Sequence, residues 1–463
     1  MGLTRSRRRL HLLALLAFLA VLGAASCAPV TPPAAPPVPP SAPPAPGVQP
    51  PAGVTAPFHL DREPWLDVGL RWTLDSLTVE PQQAGPLRVT APGRDERLGE
   101  TRAAVHIRKG AGAWVVDWEP RPGETTSTPL QPGDTLWVGA AEAPGAGPSG
   151  GGNRFRCVSQ TWRGQFRIFP NARRKLTLAD RLPLETYLLG VVPGEIGGLT
   201  EATIEAGRAQ AVAARSYTIF YLGRRASEGF DVYGTVEDQI YGPVETEREL
   251  PTRCVVATRG NFALSAGRPI RANYCSTCGG ISADVWEAWP ATPLSYLVSH
   301  RDRDRDGDYC AESVQYRWRE EWGPEEFLGN IAHFGPIEGA TLPPQGLGEL
   351  VDVRVAARSR SGRVMRLVVE TTKGDVVLPA DQIRRVVRRA GSPFVILRST
   401  LFKIGVRRDP ETRRALAVVA TGAGSGHGVG LCQTGAVAMA KAKLTAKQIL
   451  THYYPGIQLE RLY

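Results

Sequence analysis

Residues 181–221 read RLPLETYLLGVVPGEIGGLTEATIEAGRAQAVAARSYTIFY, and the fold can be worked outward from this stretch. Its second half is helical by spacing. Ala202, Ala206, Ala209, Ala213, Tyr217 and Phe220 recur every three or four residues, which puts them on one apolar stripe. Thr200 stands where a hydroxyl caps the first turn, and Glu201 where negative charge suits the helix dipole. The small side chains of the stripe predict another backbone packed closely against it. The first half, Leu182 to Val192, reads as a short helix or strand against the core, stopped by Pro193. Glu195 is then held in a glycine-flanked loop between two packed elements, where a rigid scaffold presents a functional side chain.

Four other blocks stand out: DQIYGP at 238–243 before a Cys-Gly-Gly stretch, LRSTLFKI at Leu397 to Ile404, SGHGVGLCQTGAVAMA at Ser425 to Ala440, and HYYPGIQL with Gly456. Together with YLLGVVPGEI (Tyr187 to Ile196) and EAGRAQAVAARSYT (Glu205 to Thr218), they resemble the SpoIID/LytB family, named after the stage II sporulation protein D and the amidase enhancer. The resemblance covers most of residues 64–463. It implies an α+β fold with mainly antiparallel sheets and packed helices around a glycan-binding groove, here with a β-rich N-terminal module.

The activity implied by the resemblance is that of a lytic transglycosylase. Such an enzyme breaks the β-1,4 bond after N-acetylmuramic acid in peptidoglycan, on strands stripped of stem peptides, and leaves a 1,6-anhydro ring. Ordinary glycosidases need two carboxylates. When the sugar's own 6-hydroxyl attacks, one suffices. The VVPGEI match makes Glu195 that carboxyl, protonating the leaving oxygen and then taking the proton of the hydroxyl, which calls for a raised pKa. By the same matches Tyr187 and Arg215 position it, Asp238, Gln239 and Tyr241 meet sugar hydroxyls, and His427 and Gln433 bind substrate from the glycine-rich block. No cofactor is required for this chemistry. A non-catalytic reading stands beside it: a wall-binding protein that activates an N-acetylmuramoyl-L-alanine amidase.

The start of the chain argues export. Arg5, Arg7, Arg8 and Arg9 precede the apolar run Leu10 to Leu22, too short for an ordinary membrane span and suited to a signal peptide over residues 1–27. Ala24-Ala25-Ser26-Cys27 resembles a lipoprotein cleavage site with Cys27 acylated, although Ala24 departs from the usual leucine and an ordinary signal peptidase could cut at the same small residues. Residues 28–57 are a proline-rich stretch that favours extended geometry and reads as a stiff tether from the membrane. Residues 58–150 carry short β-like runs between Pro and Gly turns and read as a β-rich module or an insertion, with the SpoIID/LytB-like domain over 151–463. A net charge of +10 would suggest nucleic acid in the cytosol. Behind a signal peptide it points instead to an anionic wall or membrane surface.

The stretch ANYCSTCGGISADVWEAWP, residues 272–290, carries a second chemical signal. Cys275 and Cys278 have zinc-knuckle spacing, Cys310 is a third candidate, and His300, His427 or Cys432 would complete a tetrahedral set. Disulfides fit as well, because export is oxidising and six of the seven cysteines remain after Cys27, Cys157 with Cys254 among the natural pairs. Asp302, Asp304, Asp306 and Gly307 have calcium-loop spacing, but the twelfth position is Ser313, so a solvated loop is the better reading. Trp286, Trp289, Tyr296, Trp318 and Trp322 suit either a glycan cleft or a core. Cys432 near His427 invites a cysteine-nucleophile reading, which lacks an orienting third group.

Overall fold

The computed structural model describes residues 58–92, 94–139 and 154–463. The leader, Cys27, the tether and the glycine-rich loop Pro144–Asn153 lie outside the described residues. The architecture is α+β with mostly antiparallel pairing, as expected.

Alternation builds the first layers. In Ser76–Pro81 the residues Leu77 and Val79 are buried while Ser76, Thr78 and Glu80 face water, and Trp114, Val116 and Trp118 alternate likewise in Trp114–Arg121. The seven-stranded sheet runs, across its width, Val232–Tyr233, Trp65–Leu74, Leu176–Pro183, Gln165–Pro170, Thr135–Val138, Gly85–Ala91 and Arg94–Thr101. The six-stranded sheet runs Gln160–Arg163, Arg154–Cys157, Ser76–Pro81, Val105–Lys109, Trp114–Arg121 and Glu124–Leu130. Strands from both sides of residue 150 sit in both sheets. The boundary expected there therefore falls inside the β-rich module, which runs on to Pro183 and shares one hydrophobic core with the helices that follow.

From Pro183 the chain enters the helix Leu184–Glu195, with Pro193 in its last turn. The proline does not end this helix, contrary to the sequence reading. So near the C-terminus its missing N–H costs a single bond, and Ile196 N still closes on Val192 O at 3.0 Å. Glu195 is thus the last residue of a helix, not the tip of a loop. A 3-10 turn at Glu201–Thr203, capped through Thr200 N to Thr203 Oγ1 at 2.9 Å, leads into the helix Ile204–Phe220. This helix is buried on every side from Ala209 to Thr218, a wider contact than one alanine stripe.

Close backbone approach fixes what faces Glu195. A Cβ on Gly190 would lie 2.5 Å from Gly242 O and 2.6 Å from the Tyr241 ring. Glycine lets the helix and the 240–242 segment touch, with Gly242 N bonded to Gly190 O at 3.0 Å.

Residues 317–423, expected as part of one continuous 151–463 domain, form an inserted module. It has its own core, including Trp318, Trp322, Phe327, Val369 and Val418. Two three-stranded antiparallel sheets pack with the helices Pro324–Ile337 and Gln382–Val387. Arg317 pairs with Ala423, so the module's two ends leave the main domain side by side. Among the described residues no helix is long and apolar enough to cross a membrane.

Candidate functional site

The Glu195 carboxyl is half-buried and held by three donors. Ile240 N reaches Oε1 at 2.9 Å, Gln433 Nε2 reaches Oε2 at 3.4 Å, and the Tyr274 hydroxyl completes the set. Desolvation raises its pKa above the ordinary glutamate value, and the three hydrogen bonds only partly offset this. Each donor is itself held. Gln433 opens the helix Gln433–Lys441 and leans on the fully buried Gln210 at 3.5 Å. Tyr274 lies on a two-residue strand paired in parallel with Leu431–Cys432, and its oxygen accepts from Gln239 Nε2 at 2.9 Å. That leaves its proton for Glu195. The Gln239 oxygen accepts in turn from Thr218 at 2.7 Å and from Tyr187 at 3.3 Å.

Beside Glu195 lies a cavity of about 330 Å³, walled by Ile196 and Gly197, the segments around Ser276 and Tyr309–Ser313, and one face of the helix Gln433–Lys441. Sequence reasoning did not select Tyr274 or Gln210. The available signals were a tyrosine next to Cys275 and a glutamine interrupting an alanine stripe.

The structure brings Glu195, Gln433, Gln239 and Tyr187 into one chain of contacts and sets the other expected residues apart. Arg215 is fully buried, with Nε and Nη2 bidentate on Glu185 at 2.9 and 2.7 Å. The Asp238 carboxylate is enclosed by Arg224, Arg225 and the Tyr233 amide. Tyr241 donates to Asp180 at 3.0 Å inside the core. His427 packs on Trp289 at 4.6 Å, and its Nδ1 accepts from Val429 N at 3.0 Å. Burial, with Arg384, Arg271 and Arg363 nearby, pushes its pKa down to about 3, so the ring is neutral.

A second cluster lies at the cavity edge. The ligand atoms of Cys278, Cys310, Cys432 and Asp302 all lie within 4.8 Å of one another, and all four residues are buried. Cys275, expected in this set from the Cys-x-x-Cys spacing, is outside it; on its short strand it pairs with Cys432. His300 and His427 are also outside it. The six described cysteines are free thiols. Backbone amides of Cys278 and Gly435 point at the Cys432 sulfur at 3.2 and 3.4 Å, and that of Gly280 at the Cys278 sulfur at 3.4 Å. Hydrogen bonds from Cys278 and Cys432 pull the Cys310 pKa well below that of an ordinary thiol.

The set fits zinc. Cys278 and Cys310 sulfurs are 3.7 Å apart, close to the edge of a tetrahedron with bonds of about 2.3 Å. Asp302 is braced from behind by His452 at 3.1 Å and by the Tyr453 hydroxyl at 2.9 Å, as a ligating carboxylate usually is. Asp302 therefore turns inward, away from the calcium-like loop, where Asp304 accepts instead from the amides of Asp306 and Gly307 in a tight turn.

The family model described as Stage II sporulation protein matches residues 172–264, which hold Glu195 and both central helices. A second, described as a domain of unknown function, matches residues 303–430 and so spans the inserted module. Among curated proteins, an uncharacterized protein of Brachyspira hyodysenteriae is 27% identical over 61% of this chain and 68% of its own length. Stage II sporulation protein D of Bacillus subtilis is 26% identical over 60% of this chain and 75% of its own. The amidase enhancer of Bacillus subtilis is 24% identical over 59% of this chain and 40% of its own. The resemblance to the SpoIID/LytB family is thereby shown.

Proposed function

From a chain that carries a SpoIID domain around a desolvated glutamate, we propose a cell-wall enzyme, a lytic transglycosylase cutting the N-acetylmuramic acid to N-acetylglucosamine β-1,4 bond of peptide-stripped peptidoglycan strands. The observation that supports this best is a single raised-pKa carboxyl on the cavity. The other carboxylate lining it, Glu312, lies with Lys441 at the far end of the cavity, eight residues and about 12 Å along the helix from the Gln433 that holds Glu195. Hydrolysis of the ordinary kind would want a second free carboxylate to handle water or attack the sugar.

In the proposed reaction, protonated Glu195 donates to the glycosidic oxygen as its bond to C1 breaks. The 6-hydroxyl of the same muramic acid closes on C1, and its proton passes to the glutamate, which returns to its starting state without consuming water. Desolvation supplies the acid form, while Ile240 N–H, Gln433 and Tyr274 steady the carboxylate between the two transfers. Tyr187 and Gln239 act behind Tyr274 by orienting it. Cys278, Cys310, Cys432 and Asp302 would hold a zinc ion whose contribution is to pin the 278–310 and 431–435 segments beside the cavity. Anchoring to the envelope membrane through Cys27 belongs to the same reading.

Digestion in ¹⁸O-water tests it. Cleavage products free of solvent oxygen at the new muramic end support transglycosylation, and labelled reducing ends would replace it with hydrolysis. Similarity to the amidase enhancer motivates the second reading, activation of a wall amidase. Stimulation of such an amidase, unaltered by Glu195→Gln, would favour that reading.

A further inference from the structure

The cavity beside Glu195 has a charged far end. Gln433, Thr434, Val437, Ala438 and Lys441 follow the spacing of one helix face, and all five line it. Gln433 touches Glu195. Eight residues on, about 12 Å along the axis, Lys441 marks the opposite end. The rest of the lining combines apolar groups, Val437, Ala438 and the Tyr309 ring among them, with hydroxyls from Ser276, Ser313 and Thr434, a mixture that suits a sugar chain. Among the described lining residues Lys441 is the one cation. It is bonded to Glu312 at 2.7 Å, and both side chains are more than half exposed, 53% and 80%. A bridge this open is weak and readily exchanges partners.

We propose that Lys441 is the specificity determinant of the cleft, taking a carboxylate that the glycan carries roughly one disaccharide repeat from the cut bond, with Glu312 holding the ammonium while the cleft is empty. The proposal rests on the peptidoglycan reading above. In that polymer the carboxylate attached to the sugar chain is the lactyl group of muramic acid. It is a free anion where no peptide is attached and an uncharged amide where one is. A cation at this distance from Glu195 therefore separates bare strands from peptide-bearing ones by charge. The position of Glu312 makes it a competitor: the incoming carboxylate replaces it, and the freed glutamate moves into water at little cost because it is already exposed.

The test uses strands with free lactyl carboxylates beside the same strands amidated with methylamine. Wild type is expected to favour the free form by about tenfold in kcat/KM, the scale of one charge-assisted hydrogen bond. Lys441→Gln is expected to abolish that ratio, and Glu312→Gln to tighten binding of the free strands by removing the competitor. An unchanged ratio in Lys441→Gln overturns the proposal. Both residues are exposed, so the variants fold. Sedimentation of Glu195→Gln protein with both strand types measures the same preference without turnover. Wild type that cuts neither strand would count against the transglycosylase reading, while a binding preference that vanishes with Lys441→Gln would still uphold this one.

Discussion

Replacing Arg215 should unfold the domain more than it should weaken substrate binding. Its guanidinium has no exposed surface, is bidentate on Glu185, and also donates to Asn261 O at 3.1 Å. In Arg215→Met, Glu185 keeps the Tyr463 hydroxyl at 2.5 Å and Gly260 N at 3.1 Å but loses its countercharge in the core. Stranding one member of a buried pair costs about 3–5 kcal/mol, against a total stability of about 5–15 kcal/mol. Arg215→Lys should rescue little, because an ammonium cannot make the two parallel bonds. The double variant Arg215→Met, Glu185→Met should recover most of the loss, since neither charge then needs desolvating.

The pH dependence has a definite sign. Burial is the largest single influence on Glu185 and raises its pKa, but the charge and hydrogen bonds of Arg215, with those of Tyr463 and Gly260, together outweigh it and leave the pKa below 4.5. The pair's contribution is therefore present above about pH 4.5 and is lost as pH falls through the lower folded value. Urea unfolding of wild type and variants at pH 7 and pH 4 measures this, with KM determined on the folded fraction. A loss below about 1 kcal/mol at pH 7 would refute the burial argument, and a raised KM at unchanged stability would return Arg215 to substrate contact.

Other consequences follow from single contacts. Cys278→Ser should lower bound zinc and the melting temperature, whereas Cys275→Ser should leave metal content unchanged; elemental analysis and calorimetry read both. Gly190→Ala gains helix propensity yet forces a methyl against Gly242 O, so a net loss of about 2 kcal/mol is expected by denaturation, with slower turnover as Ile240 moves from Glu195. In the pH–rate profile, activity that needs protonated Glu195 should fall as pH rises through a value above 4.5. Tyr274→Phe removes a donor that favours the carboxylate and should move that limb to higher pH.

Much of this was legible in the sequence because it rests on local pattern. Alanine spacing gave the Ile204–Phe220 helix, alternation gave the strands, and VVPGEI located the carboxyl that the structure places on a cavity. What escaped depends on distant packing. Pro193 looked like a stop, but its cost depends on the few residues of helix left after it. Cys275 and Cys278 look paired in sequence, yet successive strand residues point to opposite faces and the short strand ends between them, so Cys278 joins Cys310 and Cys432 while Cys275 does not. Asp238, Tyr241 and Arg215 carry groups that suit sugars. Only their partners Arg224, Asp180 and Glu185, distant in sequence for the last two, reveal where those groups are engaged. The inserted module was missed because its strands resemble those around it, and its separate core appears only when Arg317 and Ala423 are seen side by side.

In the proposed reaction Glu195 alone supplies and recovers the proton of glycan cleavage. Mass spectrometry of peptide-free strands treated with wild type and with Glu195→Gln tests it most directly. Wild type is expected to give 1,6-anhydro-ended fragments and the variant none, with strand binding retained in both. Equal fragment yields from the two proteins would contradict it.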